Sequence, residues 1–383
     1  MTQRVAHDTE TAGARDAVEF DVHGLVGIRL EAPSVADATA VERQLGLPRT
    51  TLGREPDILI RFVPKVSLRG PVRYLGMREA AFGDDGFVIL GSGRGSRRRV
   101  RIPFDAIGGR VELECESGIS RVPLLVQILN LNALGRGILP LHAAAFVHRG
   151  LGVAVTGWAK GGKTETLLGF MAAGATYIGD EWVFVEPSSR RLHGLPEPIR
   201  IWEWHLTDLP EYRSMVPATT RARWAAIRAG LRGSTVLSRR ALASLGSKIA
   251  PELERRLFVH RSPAQLFGPE RCVGAGSLDS LVFVVSWDAP EVVVEQVDPM
   301  EIARRMVSSL QYERLRLVAS SLKFRFALPG PVSEVLTRAE EIEAELLLQA
   351  FSQIPAVTLY HPFPAPIPEM VDTLSAALQW PAA

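Results

Sequence analysis

Lysine is scarce in this 383-residue chain. Only Lys65, Lys160, Lys163, Lys248 and Lys323 stand among 44 basic residues, and all the others are arginine. Excess charge of one sign is also lacking: the net charge is +2. That balance argues against a protein whose main business is gripping a nucleic-acid backbone. Cysteine occurs only at Cys115 and Cys272. Two distant thiols exclude a disulfide framework and lack metal-type spacing, so they read as buried apolar groups. No apolar run reaches the ~20 residues of a membrane helix. The longest, Leu124–Val147, is broken by Asn130, Asn132, Gly135, Arg136 and Gly137. The opening MTQRVAHDTETAGARDA lacks the apolar segment of a secretory signal and reads as a disordered tail over 1–17. The expected location is the cytoplasm, with no membrane and no nucleic-acid partner.

What is present suffices for a sizeable core, since 46% of the residues are hydrophobic. Residues 18–122 carry short alternating stretches split by turn residues: FDVHGLVGIRLEA (Phe20–Ala32), DILIRFV, GFVILGSG, RRVRIPF and RVELECE. They predict a β-rich N-terminal domain, with a helix near Ser34–Leu45. Residues 123–383 read as a second, mixed α/β domain. Its expected elements are a helix over Pro123–Leu134, strands at Leu141–Val147 and Gly152–Gly157, and a helix from Lys163 to Ala173 stopped by Gly174. Strands follow at Ala175–Glu186 and Leu192–Leu195, then an arginine-rich helical stretch over Arg221–Arg261, and buried strands at Leu281–Trp287 and Glu291–Val297. Helices over Met300–Leu322 and Val332–Phe351, a strand at Val357–Tyr360 and a terminal helix complete the pattern.

Gly157-Trp158-Ala159-Lys160-Gly161-Gly162-Lys163-Thr164 fits G-x-x-x-x-G-K-[ST] at every position. Such glycines let backbone N–H groups close round phosphates, and the helix that follows adds its positive N-terminus. Lys163 would reach the β- and γ-phosphates, and the Thr164 hydroxyl would meet Mg²⁺. Lys160 is an extra cation, serving either the phosphates or only the solvent. Asp180-Glu181 come close behind, on the next strand candidate. A carboxylate carried back beside the γ-phosphate could take the proton of an attacking hydroxyl or help hold metal. Successive strand residues face opposite ways, so the two are expected to do different jobs.

The segment LPLHAAAFVHRGLGVAVTGWAKGGKTETLLGFMAAGATYIGDEWVFV (141 to 185 at its most specific) resembles the catalytic core of HPr kinase/phosphorylase-like proteins, which share a fold with phosphoenolpyruvate carboxykinase. The family pattern falls on His142, on Gly157 through Glu165, on Gly174 and on Asp180-Glu181. The resemblance implies an HPr-kinase-like P-loop domain behind the β-rich region. It implies Mg²⁺-ATP-dependent transfer of the γ-phosphoryl group to a hydroxyl of a protein, a peptide or a small molecule. Asp180 would be the general base, with Lys163 and His142 beside it. Residues Gly157 to Glu165 would hold ATP. Thr164, Asp180 and Glu181 would lie at the metal, and a homo-oligomer is expected. The family pair is usually Asp-Asp, where this chain has Asp-Glu. GLPEPIRIWEWHL (Gly194–Leu206) stands where the bifunctional enzymes carry a glycine-rich segment. The alternative class is an ATP-binding regulator, or an ATPase, with no phosphoryl acceptor.

Further candidates have plain readings beside the functional ones. His142 could touch phosphate, orient Asp180, or be a hydrogen-bonded core residue. Arg200 and Glu203 could face nucleotide or metal, or pair at the surface. Trp202 and Trp204 would share a face of a strand, packing in the core or stacking on adenine. The basic stretch Arg213–Arg261 could meet an acidic or phosphorylated partner or nucleic acid, or be a solvated helix face. Asp288, followed by Ala289-Pro290, is a distant metal candidate or a turn start.

Overall fold

The computed structural model describes residues 17–91, 97–237 and 257–380. All but the last residue of the expected tail, and residues 238–256 of the arginine-rich stretch, lie outside them. The chain is mixed α/β and built on two large mixed sheets.

The first sheet contains β1 (Val18–Val22), β2 (Val26–Glu31), β3 (Ile58–Val63), β4 (Arg73–Leu75), β5 (Ala80–Phe82), β6 (Phe87–Gly91), β7 (Arg98–Arg101) and β8 (Val111–Glu116), in the order β1-β2-β3-β8-β7-β6-β5-β4. The stretch Phe20–Ala32, which reads as one strand, is a hairpin. His23 and Gly24, at φ 52° and 76°, make the left-handed pair that a tight hairpin turn needs. Helix α1 (Val35–Leu45) crosses from β2 to β3, so those strands run parallel. Its start is set by a reciprocal cap: Ser34 accepts from the Asp37 N–H, and Asp37 accepts from the Ser34 N–H. Helix α2 (Leu125–Leu134) carries Leu125, Ile128 and Leu129 into the core of this sheet. Phe184, Leu195, Leu317 and Leu336, from far along the chain, join the same core.

The second sheet contains β9 (Leu139–His148), β10 (Leu151–Gly157), β11 (Thr176–Gly179), β12 (Trp182–Glu186) and β13 (Arg191–Gly194). After the two-stranded ribbon of β14 (Ile199–Trp202) and β15 (Phe258–Arg261), it resumes with β16 (Ala275–Ser277), β17 (Ser280–Ser286), β18 (Val293–Gln296) and β19 (Ala356–His361). The order is β16-β13-β12-β9-β10-β17-β19-β18, with β11 also on β9. Strand β10 is central, antiparallel to β9 and parallel to β17. Both of its faces are buried, which explains its unbroken apolar run.

Helices cover both faces of this sheet. On one side lie α3 (Lys163–Ala172), the short helix Pro263–Phe267 and the terminal helix Ile367–Ala377, against Ala144, Phe146, Val153 and Val155. Between them in the chain run α4 (Ala218–Leu237), α5 (Pro299–Ala327) and α6 (Ala339–Phe351), the terminal helix being α7. Helices α5 and α6 cover the other side, against Ala143, Ala145 and Ala154. Successive residues of β9 and β10 thus feed opposite layers.

Other expected elements differ as well. The arginine-rich stretch is helical only over α4 within the described residues, and Phe258–Arg261 is a strand paired with Ile199–Trp202. Its apolar partners override its helical composition. The expected helix Val332–Phe351 is two helices, Glu334–Thr337 and α6, separated at Arg338 (φ −101°, ψ 10°). Strand β14 ends at Trp202, and Trp204 begins a short helical turn, so the two tryptophans share no strand face. Among the described residues no helix is long and apolar enough to cross a membrane.

Candidate active site

Strand β10 ends in Gly157 and α3 begins at Lys163, so the glycine-rich motif forms the loop between a central strand and a helix N-terminus. The loop needs unusual backbone. Gly162 has φ 106°, and a Cβ there would lie 2.5 Å from His361 Nε2. Lys160 is left-handed at φ 63° and exposed. Two outside groups hold the loop. Nε2 of the buried His361, on β19, lies 2.9 Å from the Gly161 carbonyl, and Ser309 on α5 donates to the Gly157 carbonyl at 3.4 Å. Trp158 is half-exposed, its ring 4.9 Å from that of Tyr312 on α5. Ala159 lies in the loop without a polar side chain.

Lys163 is buried beneath the loop. Its ammonium donates to the Trp158 carbonyl at 2.9 Å and to the Gly157 carbonyl at 3.4 Å. An ammonium has three donors, so one remains for a ligand. Burial pushes its pKa down, against the opposing pull of Glu181, Asp180, Glu313 and Glu165.

Asp180 and Glu181 sit in the turn from β11 to β12 rather than on a strand. Glu181 is left-handed at φ 66°, which breaks the extended backbone between β11 and β12. Asp180 is buried, and Thr164 Oγ1 lies 3.1 and 3.2 Å from its two oxygens, donating to the carboxylate. Burial, then the charge of Glu181, pushes Asp180 up to about 7, while the Thr164 hydrogen bond and Lys163 oppose the shift. Glu181 is 56% exposed and accepts from His142 Nε2 at 3.1 Å. That hydrogen bond holds it below the usual carboxylate range.

His142 therefore stands with Glu181, not with Asp180. Its other nitrogen, Nδ1, lies 3.3 Å from Glu313 Oε1 but is not aligned for a hydrogen bond. Glu165 turns away from the loop toward the buried His205. His205 Nδ1 accepts from the Trp202 N–H, so Nε2 carries the proton and donates to Glu165 Oε1 at 3.2 Å. Burial raises the Glu165 pKa, but His205 outweighs it and the net shift is downward.

Of the remaining candidates, Arg200 bears on the site through its charge, which helps hold Glu181 low. Arg200 lies over Phe258 at 4.8 Å and Trp202 at 5.6 Å, and it is the cross-strand partner of His260. Glu203 accepts from Arg228 Nε at 2.9 Å. Trp202 packs edge-on against Phe258, and Trp204 against His205. Asp288 lies in the bend that follows β17. Five residues not singled out by the sequence reach the site: His205, Ser309, Glu313, His361 and the half-buried Glu197. Burial, then Glu181, pushes Glu197 up to about 8, with Arg121 opposing. None belongs to a local motif. They come from elements far from the loop in the chain, so only their closeness in space reveals them.

The arrangement can bind an anion on loop N–H groups backed by a buried cation. It can also take a proton on Asp180, whose pKa lies near neutrality. Among the described residues no three His, Cys, Asp or Glu side chains converge as a metal cage. The Thr164–Asp180 pair suits Mg²⁺ nonetheless, because that ion keeps waters and substrate phosphates among its ligands and needs only one or two from protein. No protein-family model matches the chain, and no curated protein sequence matches it either.

Proposed function

We propose that this chain is an ATP-dependent phosphotransferase of the HPr-kinase-like type, built on that family's P-loop fold and working in the cytoplasm. It would move the γ-phosphoryl group of ATP to a hydroxyl of a protein, a peptide or a small molecule. The observation that carries the reading is the contact of Thr164 Oγ1 with both oxygens of the buried Asp180, directly beside the loop that buries Lys163. A motif threonine and a base-like carboxylate, sixteen residues apart, meet at one point.

In this reading the loop N–H groups from Trp158 to Lys163 hold the phosphates, and Lys163 neutralises charge on the transferring group. Mg²⁺, when bound, supplies further neutralisation of the β- and γ-oxygens, with Thr164 and Asp180 as its protein contacts and Glu181 nearby. The acceptor oxygen bonds to the γ-phosphorus, the bond from that phosphorus to the bridging oxygen breaks, and ADP leaves. The acceptor's proton passes to an Asp180 oxygen. Glu181, held by His142, keeps a negative charge at the mouth of the site and helps raise the basicity of Asp180.

The test is incubation of the full chain with γ-labelled ATP and Mg²⁺, together with a host extract or metabolite pool, followed by identification of the labelled species. A labelled hydroxyl compound or protein is expected. Label released only as inorganic phosphate would favour the ATPase instead. Asp180→Asn should retain ATP binding and lose transfer by about 10²–10⁴-fold, the usual worth of a general base. Transfer at the wild-type rate in that variant would remove the base assignment.

A further inference from the structure

Helix α5 buries Ile302, Ala303, Met306 and Leu310 against the second sheet, and Leu317 against the core of the first. A helix docked on a core normally presents polar groups outward. This one does not. Tyr312, Leu315, Leu322 and Phe326 are 49%, 54%, 56% and 74% exposed, and exposed Ala319 lies between them. The spacing 312-315-319-322-326 alternates three and four, which sets all five on one stripe about 20 Å long. That is the pattern of a seam that receives another helix. The stripe runs on to the phosphate loop, because Tyr312 packs against the half-exposed Trp158.

Charge decides what fits. From Ile302 to Pro331 the only acidic residue is Glu313, and it faces inward to His142. Arg314 is taken up by the buried Glu343, and Lys323 by Glu79. Arg316 and Arg325 are exposed, and by helical geometry they flank the stripe on opposite sides. Among the described residues neither has an acidic side chain within 4 Å. In an antiparallel pairing of two copies over this stripe Arg316 would face Lys323, and in a parallel pairing it would meet only the uncharged Gln311, so a second copy offers these arginines no acidic partner. Like charges at such flanking positions disfavour pairing.

We propose that this face of α5 docks a protein partner through an acidic amphipathic helix. The partner would carry apolar residues at three-four spacing and Glu or Asp on both flanks, and one end of it would touch Trp158. The proposal goes beyond the phosphotransfer reading and stands whether or not the chain transfers phosphate.

The probe is a fluorescein-labelled synthetic helix of about three heptads, with leucine along the seam and glutamate on the flanks. Two controls accompany it: the same composition with scrambled leucines, and the leucine seam with lysine flanks. Binding to the full chain is read by fluorescence polarisation. The acidic helix should bind at least tenfold more tightly than either control. Leu315→Glu with Leu322→Glu, both at exposed positions, should weaken it at least tenfold while leaving the circular-dichroism spectrum and ATP binding unchanged. Arg316→Glu with Arg325→Glu should transfer the preference to the lysine-flanked helix. Binding should shift tryptophan emission, and the shift should vanish in Trp158→Phe. No binding, or equal binding of the scrambled control, overturns the proposal. So does a dimer of the free chain that the Leu315→Glu, Leu322→Glu variant converts to monomer, because the face would then belong to a second copy.

Discussion

At the scale of single residues, Asp180 concentrates the argument. Its folded pKa, about 7, lies above its ordinary value near 3.8 because the carboxylate is buried beside Glu181. A carboxyl group raised on folding holds a proton that the unfolded chain has released. Its contribution to stability is therefore full below pH ~4 and is lost as pH rises to about 7. Asparagine carries no such charge. In the absence of nucleotide and Mg²⁺, Asp180→Asn should melt at nearly the wild-type temperature at about pH 4, and above it at about pH 8. Thermal melts at the two pH values check this, and an equal difference at both would refute it. The residue was legible in the sequence, since an acidic pair closely following the loop is a recognisable spacing. Its pairing with Thr164, and that of Glu181 with His142, were not. Those are contacts between separate elements, made across a left-handed turn at Glu181 that no local propensity announces.

At the scale of elements, the loop depends on conformations that few side chains permit. Gly162→Ala would strain φ 106° and drive a Cβ to 2.5 Å from His361 Nε2. We expect a stability loss of about 1–3 kcal/mol by denaturant unfolding. ATP affinity measured by calorimetry should fall at least tenfold, because the amide groups at Gly161 and Gly162 would shift. Unchanged affinity would count against their use as phosphate donors. A second test lies where α5 meets α6. Arg314 pairs with Glu343, both largely buried, and Glu343 Oε2 has no other partner among the described residues. Removing the cation strands a buried carboxylate, so Arg314→Ala should cost about 3–5 kcal/mol. Arg314→Met combined with Glu343→Leu should recover most of it in the same denaturant titration. A cost below 1 kcal/mol for the single change would show that the carboxylate finds water instead.

At the scale of the whole molecule, the two sheets are not energetically separate. Leu317 on α5 and Leu336 and Ala339 beyond it pack with Phe20, Ile28 and Ile60 in one core, and α2 contributes Leu125, Ile128 and Leu129 to it. A fragment of residues 123–383 would expose that surface to water at a cost of roughly 25 cal/mol per Å² of apolar area. We expect the fragment to aggregate or to unfold below the full chain's transition in calorimetry. A soluble fragment with the full chain's melting temperature would show the cores to be independent. By itself the sequence determined most of the central elements and the glycine-rich loop between β10 and α3. Apolar periodicity and glycine placement are local properties, and they identify β9, β10, α3 and the turn at Gly174 before any packing is known. Composition also excluded a disulfide framework. Only the tertiary structure decided which carboxylate faces Thr164, which histidine serves which glutamate, and that Phe258–Arg261 is a strand. It alone placed Glu313, Ser309 and His361 at the loop and left the stripe of α5 uncovered. Those outcomes depend on contacts between residues up to two hundred positions apart, where the burial of a partner outweighs local preference.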